Sequence, residues 1–342
     1  MARAPAASAV ELAQTAAEHA EYWTKYAFMF PVSVCVATTA MLTGIGGAAL
    51  FSPIFLLGFP ALGPEFPLAT PAEAFNVALL TECFGFTSGL LGYSKRGLVD
   101  WRVSRPFIAV GAPFGIAGGL AVASADPDVL RAAYGAATLV LGVALFFPAP
   151  EREAEETLVA CDENSGQGKT PEAASSSGET SNESRVRMTL VDSDGTRHAY
   201  AAPRADVVAV VATALGGALT GLLSVGIGES VVPQLTRRGA AGERVPLPVA
   251  AGTSVSVVIV VALAAAAAQA ASLYGGGGGG GGAALAFPKN LVCWTVPGVV
   301  CGGQIGPRLQ GKLRQSVAER AVGVVFVCVG VAFLSAGLKG GG

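Results

Sequence analysis

Residues 26–58 read YAFMFPVSVCVATTAMLTGIGGAALFSPIFLLG and contain no charged side chain. An apolar helix of about 20 residues crosses the hydrocarbon core of a bilayer, which is about 30 Å thick. The run Thr43-Gly44-Ile45-Gly46-Gly47 interrupts this stretch near its middle, because glycine favours a break in a helix. The stretch therefore predicts a membrane helix that breaks and turns within the bilayer.

The composition of the whole chain agrees with a membrane protein. Of its 342 residues, 52% are apolar and 13% are charged, whereas soluble domains carry about 25% charged residues. No charged residue occurs between Lys25 and Glu65 or between Arg244 and Lys289. These features exclude a soluble enzyme, and the lipid bilayer is the predicted partner. Nucleic-acid binding is not expected, since the chain has no basic patch to support it.

Ten apolar segments form two groups of five. They span 26–43, 44–58, 72–92, 107–124 and 131–147, and then 205–223, 225–236, 249–273, 290–306 and 320–338. The divider, residues 148–204, holds 17 of the 46 charged residues. We expect an N-terminal tail (1–25), a first membrane repeat (26–147), a cytosolic and largely disordered connector (148–204), a second membrane repeat (205–338) and a short tail (339–342). Alternating residues in 186–200 permit a small β-hairpin in the connector.

The positions of the basic residues predict how the segments are oriented, because cytoplasmic loops collect Lys and Arg. The loop after the third segment carries Lys95, Arg96, Arg102 and Arg105, whereas 59–71 and 125–130 carry no basic residue. In the second half, the loops that carry the basic residues are shifted by one loop relative to those of the first half. Each half then consists of one helical hairpin and three full crossings, and the halves point in opposite directions. The predicted fold is an all-α polytopic membrane protein of two inverted repeats.

The two hairpins break at corresponding positions. The second break lies in Gly221-Leu222-Leu223-Ser224-Val225-Gly226-Ile227-Gly228, and Pro53 and Pro233 follow Gly46 and Gly226 at the same distance. A broken helix exposes backbone N–H groups at a helix N-terminus, where they hold an anion without a permanent charge in the membrane. Close packing of helices through small residues is the alternative interpretation. The predicted anion-binding residues are Thr43, Gly44, Gly46, Gly47, Ser224, Gly226, Gly228, Thr253 and Ser254.

Three carboxylates stand out in the apolar segments. Glu82 lies mid-span and is the candidate for proton coupling, since a membrane ionisable residue indicates function by default. A neutral Glu82 that only bonds between helices is the alternative. Glu73 and Glu229 lie nearer to a helix end and a hairpin tip, so we expect both to be solvated, and their roles stay uncertain. His19 and His198 lie outside the spans, and no metal or cofactor is expected.

The pattern resembles the sulfite exporter TauE/SafE family of membrane transporters. The resemblance rests on Leu42–Gly47 in the first half and, in the second, on Gly221–Gly228, Val231-Val232-Pro233 and Ala251-Gly252-Thr253-Ser254. It implies export of a small anion, such as sulfite or an organosulfonate, by a proton- or gradient-linked mechanism. The chain departs from the family pattern at Glu229, where a further glycine is common, and at Thr70–Glu73, which replaces a Gly-Thr-Ser type turn. A carboxylate beside an anion site repels the substrate unless it is protonated, so the substrate itself stays open.

We therefore expect a secondary transporter that exports a small anion by alternating access at the Gly-rich breaks. The alternatives are a channel or carrier for a cation or an uncharged solute, and a non-transporting membrane scaffold. An intramembrane enzyme is not expected, since the chain lacks H-E-x-x-H and G-x-S-x-G motifs. The protein is expected in a cellular membrane, with the plasma membrane favoured, and the sequence leaves its oligomeric state open.

Overall fold

A computed structural model describes residues 18–66, 68, 70–146, 187–201, 206–237, 244–274, 288–310 and 315–340. Within these ranges the protein is almost entirely helical. The helices are α1 (Met29–Thr43), α2 (Gly47–Pro53), α3 (Phe59–Leu62), α4 (Pro71–Lys95), α5 (Trp101–Ala121), α6 (Pro127–Leu145), α7 (Val207–Leu223), α8 (Ile227–Arg237), α9 (Leu247–Tyr274), α10 (Lys289–Leu309) and α11 (Gln315–Gly340). Strands β1 (Arg187–Val191) and β2 (Arg197–Ala201) form an antiparallel hairpin.

Six helices in the described part of the chain are long and apolar enough to cross a membrane. They are Glu18–Thr43, Pro71–Lys95, Trp101–Ser124, Pro127–Leu145, Leu247–Leu273 and Val317–Ser335. Helix α10 has 21 residues and is therefore about 30 Å long, so it also reaches across the bilayer. The protein is thus an all-α, multi-pass integral membrane protein.

Each group of segments begins with a broken hairpin, as the sequence predicts. In the first, Tyr26 packs on Phe59 with ring centroids 5.4 Å apart, so the chain enters and leaves at the same end. In the second, the side-chain amide of Gln234 in α8 donates to the Thr213 hydroxyl in α7 at 3.3 Å. Pro53 cannot donate a backbone hydrogen bond, and the helix continues past it as a π-helical turn over Ile54–Gly58.

The two repeats pack on each other reciprocally. The first helix of each repeat packs on the fourth segment of the other, so that α1 contacts α10 and α7 contacts α5. Glycines at every fourth position allow this close approach. In the contact of α10 with α1 these are Gly298, Gly302 and Gly306 of α10, and in the contact of α7 with α5 they are Gly217 and Gly221 of α7. Both contacts thus join the first helix of one group of segments to the fourth segment of the other.

Helices in equivalent positions of the two repeats run antiparallel. In α6 and α11, Gly135 lies against Gly330 and Gly142 against Gly323, so the residue numbers rise in one helix and fall in the other. In α4 and α9, Asn76 bonds to Gln269 at one end. At the other end Tyr93 lies beside Gly252. An inverted repeat predicts this geometry, whereas a repeat about an axis along the membrane normal makes equivalent helices parallel.

The connector hairpin packs onto the loop between α4 and α5. The Arg96 guanidinium lies 3.5 Å from the Asp192 carboxylate, and the Tyr200 hydroxyl donates to Asp100 Oδ2 at 2.6 Å. The other Asp100 oxygen, Oδ1, accepts the Arg102 N–H and so caps α5. Arg96 also donates to the carbonyl of Pro307 at the end of α10. The hairpin, the α4–α5 loop and the end of α10 therefore lie at one end of the helical bundle.

The remaining domain predictions stay untested. The predicted disorder of the connector outside 187–201 lies outside the described residues. Helical backbone is already present at 18–24, within the tail predicted for residues 1–25.

Candidate functional site

The helices before the two breaks end in the same left-handed turn, whereas Gly46 (φ −59°) and Gly226 (φ 139°) differ two residues further on. Helix α1 ends at Gly44 with φ 69°, and α7 ends at Ser224 with φ 59°, both in the left-handed region. Aligning Gly46 with Gly226 places these two residues at the same position of the repeat. Gly226 has φ 139°, which side chains rarely tolerate, so this position depends on glycine.

The breaks meet inside the protein. A Cβ placed on Gly228 would lie 2.9 Å from the Gly46 nitrogen and 3.0 Å from the Gly44 carbonyl oxygen. The Ser254 hydroxyl also donates to that carbonyl, at 3.4 Å. Helix α1 has 15 residues, so the first break lies about 22 Å from the start of this helix. The predicted residues Gly44, Gly46, Gly228 and Ser254 are thus brought together deep within the bundle.

Two carboxyl groups converge on Gly46. A Cβ on Gly46 would lie 3.1 Å from Glu82 Oε1 and 3.4 Å from Glu229 Oε1. Glu82 is 3% exposed and Glu229 is 7% exposed. A methyl group on Gly46 would therefore make a tight contact with Glu82 and would touch Glu229.

The expected solvation of Glu229 is wrong. Its Oε2 accepts the Gly226 N–H at 2.9 Å, and the Gly46 N–H from the other break also approaches this carboxyl. Its Oε1 is buried without a hydrogen-bond partner. The tip of the second hairpin lies against the first hairpin rather than at the surface, and this contact removes Glu229 from water.

The expected solvation of Glu73 is also wrong. Glu73 is 4% exposed, and it lies in the first turn of α4, where its backbone N–H donates to the Thr70 hydroxyl at 3.2 Å. Glu73 also lies near Tyr26 of the first hairpin. Position near a helix end therefore does not give exposure here.

The hydroxyl groups at the breaks bond mainly to backbone. Thr43 donates to the Thr39 carbonyl at 2.9 Å and accepts the Ile45 N–H at 3.3 Å. Ser224 donates to the Phe75 carbonyl at 2.7 Å. These bonds satisfy the two buried hydroxyls and the Ile45 N–H, which lies in the first break.

Gly47 and Thr253 contribute differently from the other predicted residues. Gly47 begins α2, and its N–H approaches the Glu82 carboxyl. The Thr253 hydroxyl accepts the backbone N–H of Asp100 at 3.1 Å, at the start of α5 and away from both breaks. The structure therefore brings all the predicted anion-binding residues except Thr253 to the two breaks.

One buried polar bridge next to the second break has no signal in the sequence. The Gln269 side chain donates to the Gly221 carbonyl at 2.6 Å and accepts from Asn76 at 3.3 Å. Single amides in apolar segments form no motif, so sequence reasoning missed both residues. Their positions in α4 and α9, facing each other, are a tertiary property.

No charged partner neutralises the two carboxyls within the described residues. The ion pairs found there join Arg96 to Asp192 and Asp194, and Arg131 to Asp128. The same part of the chain contains no group of three metal-ligating side chains.

Two titratable groups of the connector hairpin lie outside the membrane spans. Burial lowers the pKa of His198 below its usual range, the Asp192 carboxylate opposes this shift and the Arg96 guanidinium adds to it. Both ring nitrogens of His198 are buried without a partner. Burial, the hydrogen bond to Asp100 and the charge of Asp100 all raise the pKa of Tyr200.

A family model of the sulfite exporter TauE/SafE matches residues 29–333. The chain belongs to the sulfite exporter TauE/SafE family. This match confirms the resemblance drawn from the break motifs, and it extends from the first group of apolar segments into the last segment of the second. No curated protein and no solved structure matches the chain significantly.

Membership in the TauE/SafE family makes the protein a membrane transporter of sulfite or related anions. The family consists of transporters and not of enzymes, in agreement with the sequence interpretation. In this TauE/SafE protein the Gly-rich motifs form the two breaks, and Glu82 and Glu229 lie between them.

Proposed function

We propose that this protein exports a small anion, such as sulfite or an organosulfonate, by alternating access at the two helix breaks. The contact of Gly228 with Gly44 and Gly46 is the observation that carries this proposal. At this contact the N-terminus of α8, from the second repeat, lies beside the first break. Backbone N–H groups at a helix N-terminus attract an anion without requiring a buried cation.

The alternating-access mechanism is supported by the arrangement of the helices. Equivalent helices run antiparallel, and the two repeats exchange equivalent contacts, so we infer two inverted repeats. In such proteins the site lies at the interface of the repeats, and movement of one against the other exposes it to each side in turn.

The hydroxyl residues of the proposed site are buried in the structure. Thr43, Ser224 and Ser254 are each at most 1% exposed. A transported anion therefore requires a further conformation in which one side opens. The Gly-rich contacts between the repeats are suited to such movement, because their backbones slide past each other without interlocking side chains.

Glu82 is the proposed proton carrier. It is buried in the middle of α4, and its Oε1 has no hydrogen-bond partner in the structure. A carboxyl group at this position, next to the substrate, can be neutral in one step of transport and ionised in another.

Transport is tested with the purified full-length protein in proteoliposomes, by measuring flux of radiolabelled sulfite, sulfate and methanesulfonate with and without a pH gradient. We expect Gly228→Ala to lower the flux of the transported anion at least about tenfold, because its methyl group forces the breaks apart. Leu215→Ala is the matched control, because Leu215 is 60% exposed on the outer face of α7. The flux of this variant should equal that of the wild type. Absence of flux for every anion in the wild type, or full flux in Gly228→Ala, contradicts the proposal.

A carrier for a cation is the second candidate function. The unpartnered oxygens of Glu82 and Glu229 favour it, because carboxylates bind cations directly. Radiolabelled sodium in the same vesicles separates the two functions. Sodium flux without anion flux would support the cation carrier.

A further inference from the structure

The carboxylate of Glu229 occupies the backbone donors that the proposed anion site requires. Its Oε2 accepts the Gly226 N–H at 2.9 Å, and the Gly46 N–H from the other break faces the same carboxyl. The first bond alone is the glutamate half of a capping box, which is common in soluble helices. The contribution of a donor from the opposite repeat is not part of a capping box. Glu229 thus lies where an anion bound to both breaks would lie.

The second oxygen of Glu229 lies near another carboxyl group, that of Glu82. Glu229 Oε1 and Glu82 Oε1 lie 3.4 and 3.1 Å from the same point above Gly46, and neither has a hydrogen-bond partner. Neither group forms an ion pair with the described residues. Two adjacent buried carboxylates repel each other strongly, and this repulsion favours a pair that retains one proton.

We propose that Glu229 is an internal anion that competes with the transported one, and that a single proton shared with Glu82 releases it. This inference rests on the proposed function, since it assigns the occupant of the same site. When the pair is fully ionised, Glu229 holds the Gly226 and Gly46 donors and repels a second anion. When the pair is protonated, the donors become available.

The proposed step balances in protons and charge. A proton from the solution on the open side forms an O–H bond with a Glu229 oxygen, and the hydroxyl donates to Glu82 across the gap above Gly46. The neutral carboxyl accepts the Gly226 N–H less strongly than the carboxylate does, so the incoming anion replaces it. After the site opens to the other side, the anion and the proton leave together and Glu229 rebinds Gly226. One proton then accompanies each anion.

Other titratable groups near the pair cannot supply a neutralising charge. The Cys83 thiol in α4 lies beside Glu82. The Tyr134 hydroxyl in α6, near Glu229, donates to the Ala49 carbonyl at 2.7 Å. Both groups are neutral or negative in every protonation state. Neither neighbour can therefore carry a positive charge, so among these groups only a proton on the carboxyl pair reduces its negative charge.

The test measures anion binding to the purified full-length protein by calorimetry at mildly acid and mildly alkaline pH. Methanesulfonate and sulfate serve as probes, because neither changes its charge in this range. We expect the wild type to bind more tightly at acid pH. Glu229→Gln mimics the protonated residue, so it should bind about tenfold more tightly than wild type at alkaline pH and lose the pH dependence. Glu65→Gln, an exposed loop residue, is the matched control and should behave as wild type.

Glu82→Gln tests the sharing of the proton. Loss of the neighbouring carboxyl removes a repulsion and so stabilises the ionised form of Glu229. More acid is then needed to protonate Glu229, and the pH profile of anion binding should shift toward lower pH. A purely structural role for Glu82 would weaken binding at every pH without moving the profile. Infrared spectra supply a measurement that does not depend on substrate, since a protonated carboxyl has its own C=O band. We expect this band to titrate in the wild type and to change in each single variant.

The outcomes separate this inference from the proposed function. If no anion binds the wild type at any pH, the proposed function fails, whereas the infrared band still reports the shared proton. If anions bind and Glu229→Gln keeps the wild-type affinity and pH dependence, the internal-anion role of Glu229 is overturned. A requirement for sodium in place of acid pH would also overturn it.

Discussion

At the scale of single residues, Gly46 is the position on which the site depends most directly. Its missing side chain leaves room for the Glu82 and Glu229 carboxyls, and its N–H faces one of them. Its importance does not lie in backbone conformation, because its φ of −59° is open to any residue. It lies in the space beside its Cα.

We predict that Gly46→Ala lowers anion flux at least about tenfold while the protein still folds and inserts. The methyl group would lie 3.1 Å from Glu82 Oε1, so it separates the two carboxyls. Flux in proteoliposomes and thermal unfolding in detergent measure the two properties separately. Gly58→Ala is the control, because a Cβ there meets only the Ile54 side chain at 3.8 Å. Wild-type flux in Gly46→Ala would contradict the role of this gap.

The sequence identified Gly46 but not the environment of Glu229. Paired glycines and matched prolines indicate where a helix breaks, since these are local properties of the chain. The burial of Glu229 depends on contact between two hairpins about 180 positions apart in the sequence. No local pattern encodes such a contact, and for this reason the predicted solvation of Glu229 was wrong.

At the scale of elements, the connector hairpin packs against the α4–α5 loop of the helical bundle. Val191 lies against Gly97, and Ser193 donates its N–H to the Arg96 carbonyl at 3.0 Å. The alternating pattern in 186–200 predicted the two strands, and the structure confirms them. The packing site of the hairpin could not be predicted, because Arg96 and Asp192 are separated in sequence by the two membrane helices α5 and α6 and share no motif.

We predict that the hairpin leaves the α4–α5 loop as the pH falls below about 6.5, the usual pKa of histidine. Burial lowers the pKa of His198, so the docked state binds fewer protons than the undocked state. Docking is therefore fully stable above the usual pKa and weakens progressively below it. Hydrogen exchange of residues 187–201 at a series of pH values measures this change.

His198→Phe provides the control for that experiment. Phenylalanine fills a similar space and does not titrate, so exchange in the hairpin should lose its dependence on acid pH. Asp192 and Arg96 remain in both proteins, and their charges have opposite effects on the pKa of His198. Equal pH dependence in wild type and His198→Phe would show that another group controls docking.

At the scale of the whole molecule, the two ends of α4 mark the two ends of the helical bundle. Its 25 residues span about 37 Å, so Glu65, before the helix, and Lys95, at its end, lie at opposite ends of the bundle. The hairpin residue Asp194 lies at the Lys95 end through its contact with Arg96. The charge bias of the loops predicts that this end faces the cytosol.

We predict that single cysteines at Lys95, Asp194 and Val207 react with a membrane-impermeant maleimide only from the cytosolic side, and that one at Glu65 reacts only from the other side. The native cysteines are replaced first, and retained flux verifies this background. Val207 begins the second broken hairpin, whereas Glu65 follows the first. In the proposed inverted arrangement the open ends of these two hairpins face opposite sides of the membrane, so labelling of Val207 and Glu65 from the same side would refute it. Labelling from opposite sides, together with the antiparallel packing of α6 on α11, requires the two hairpin tips to approach the carboxyl pair from opposite faces of the membrane.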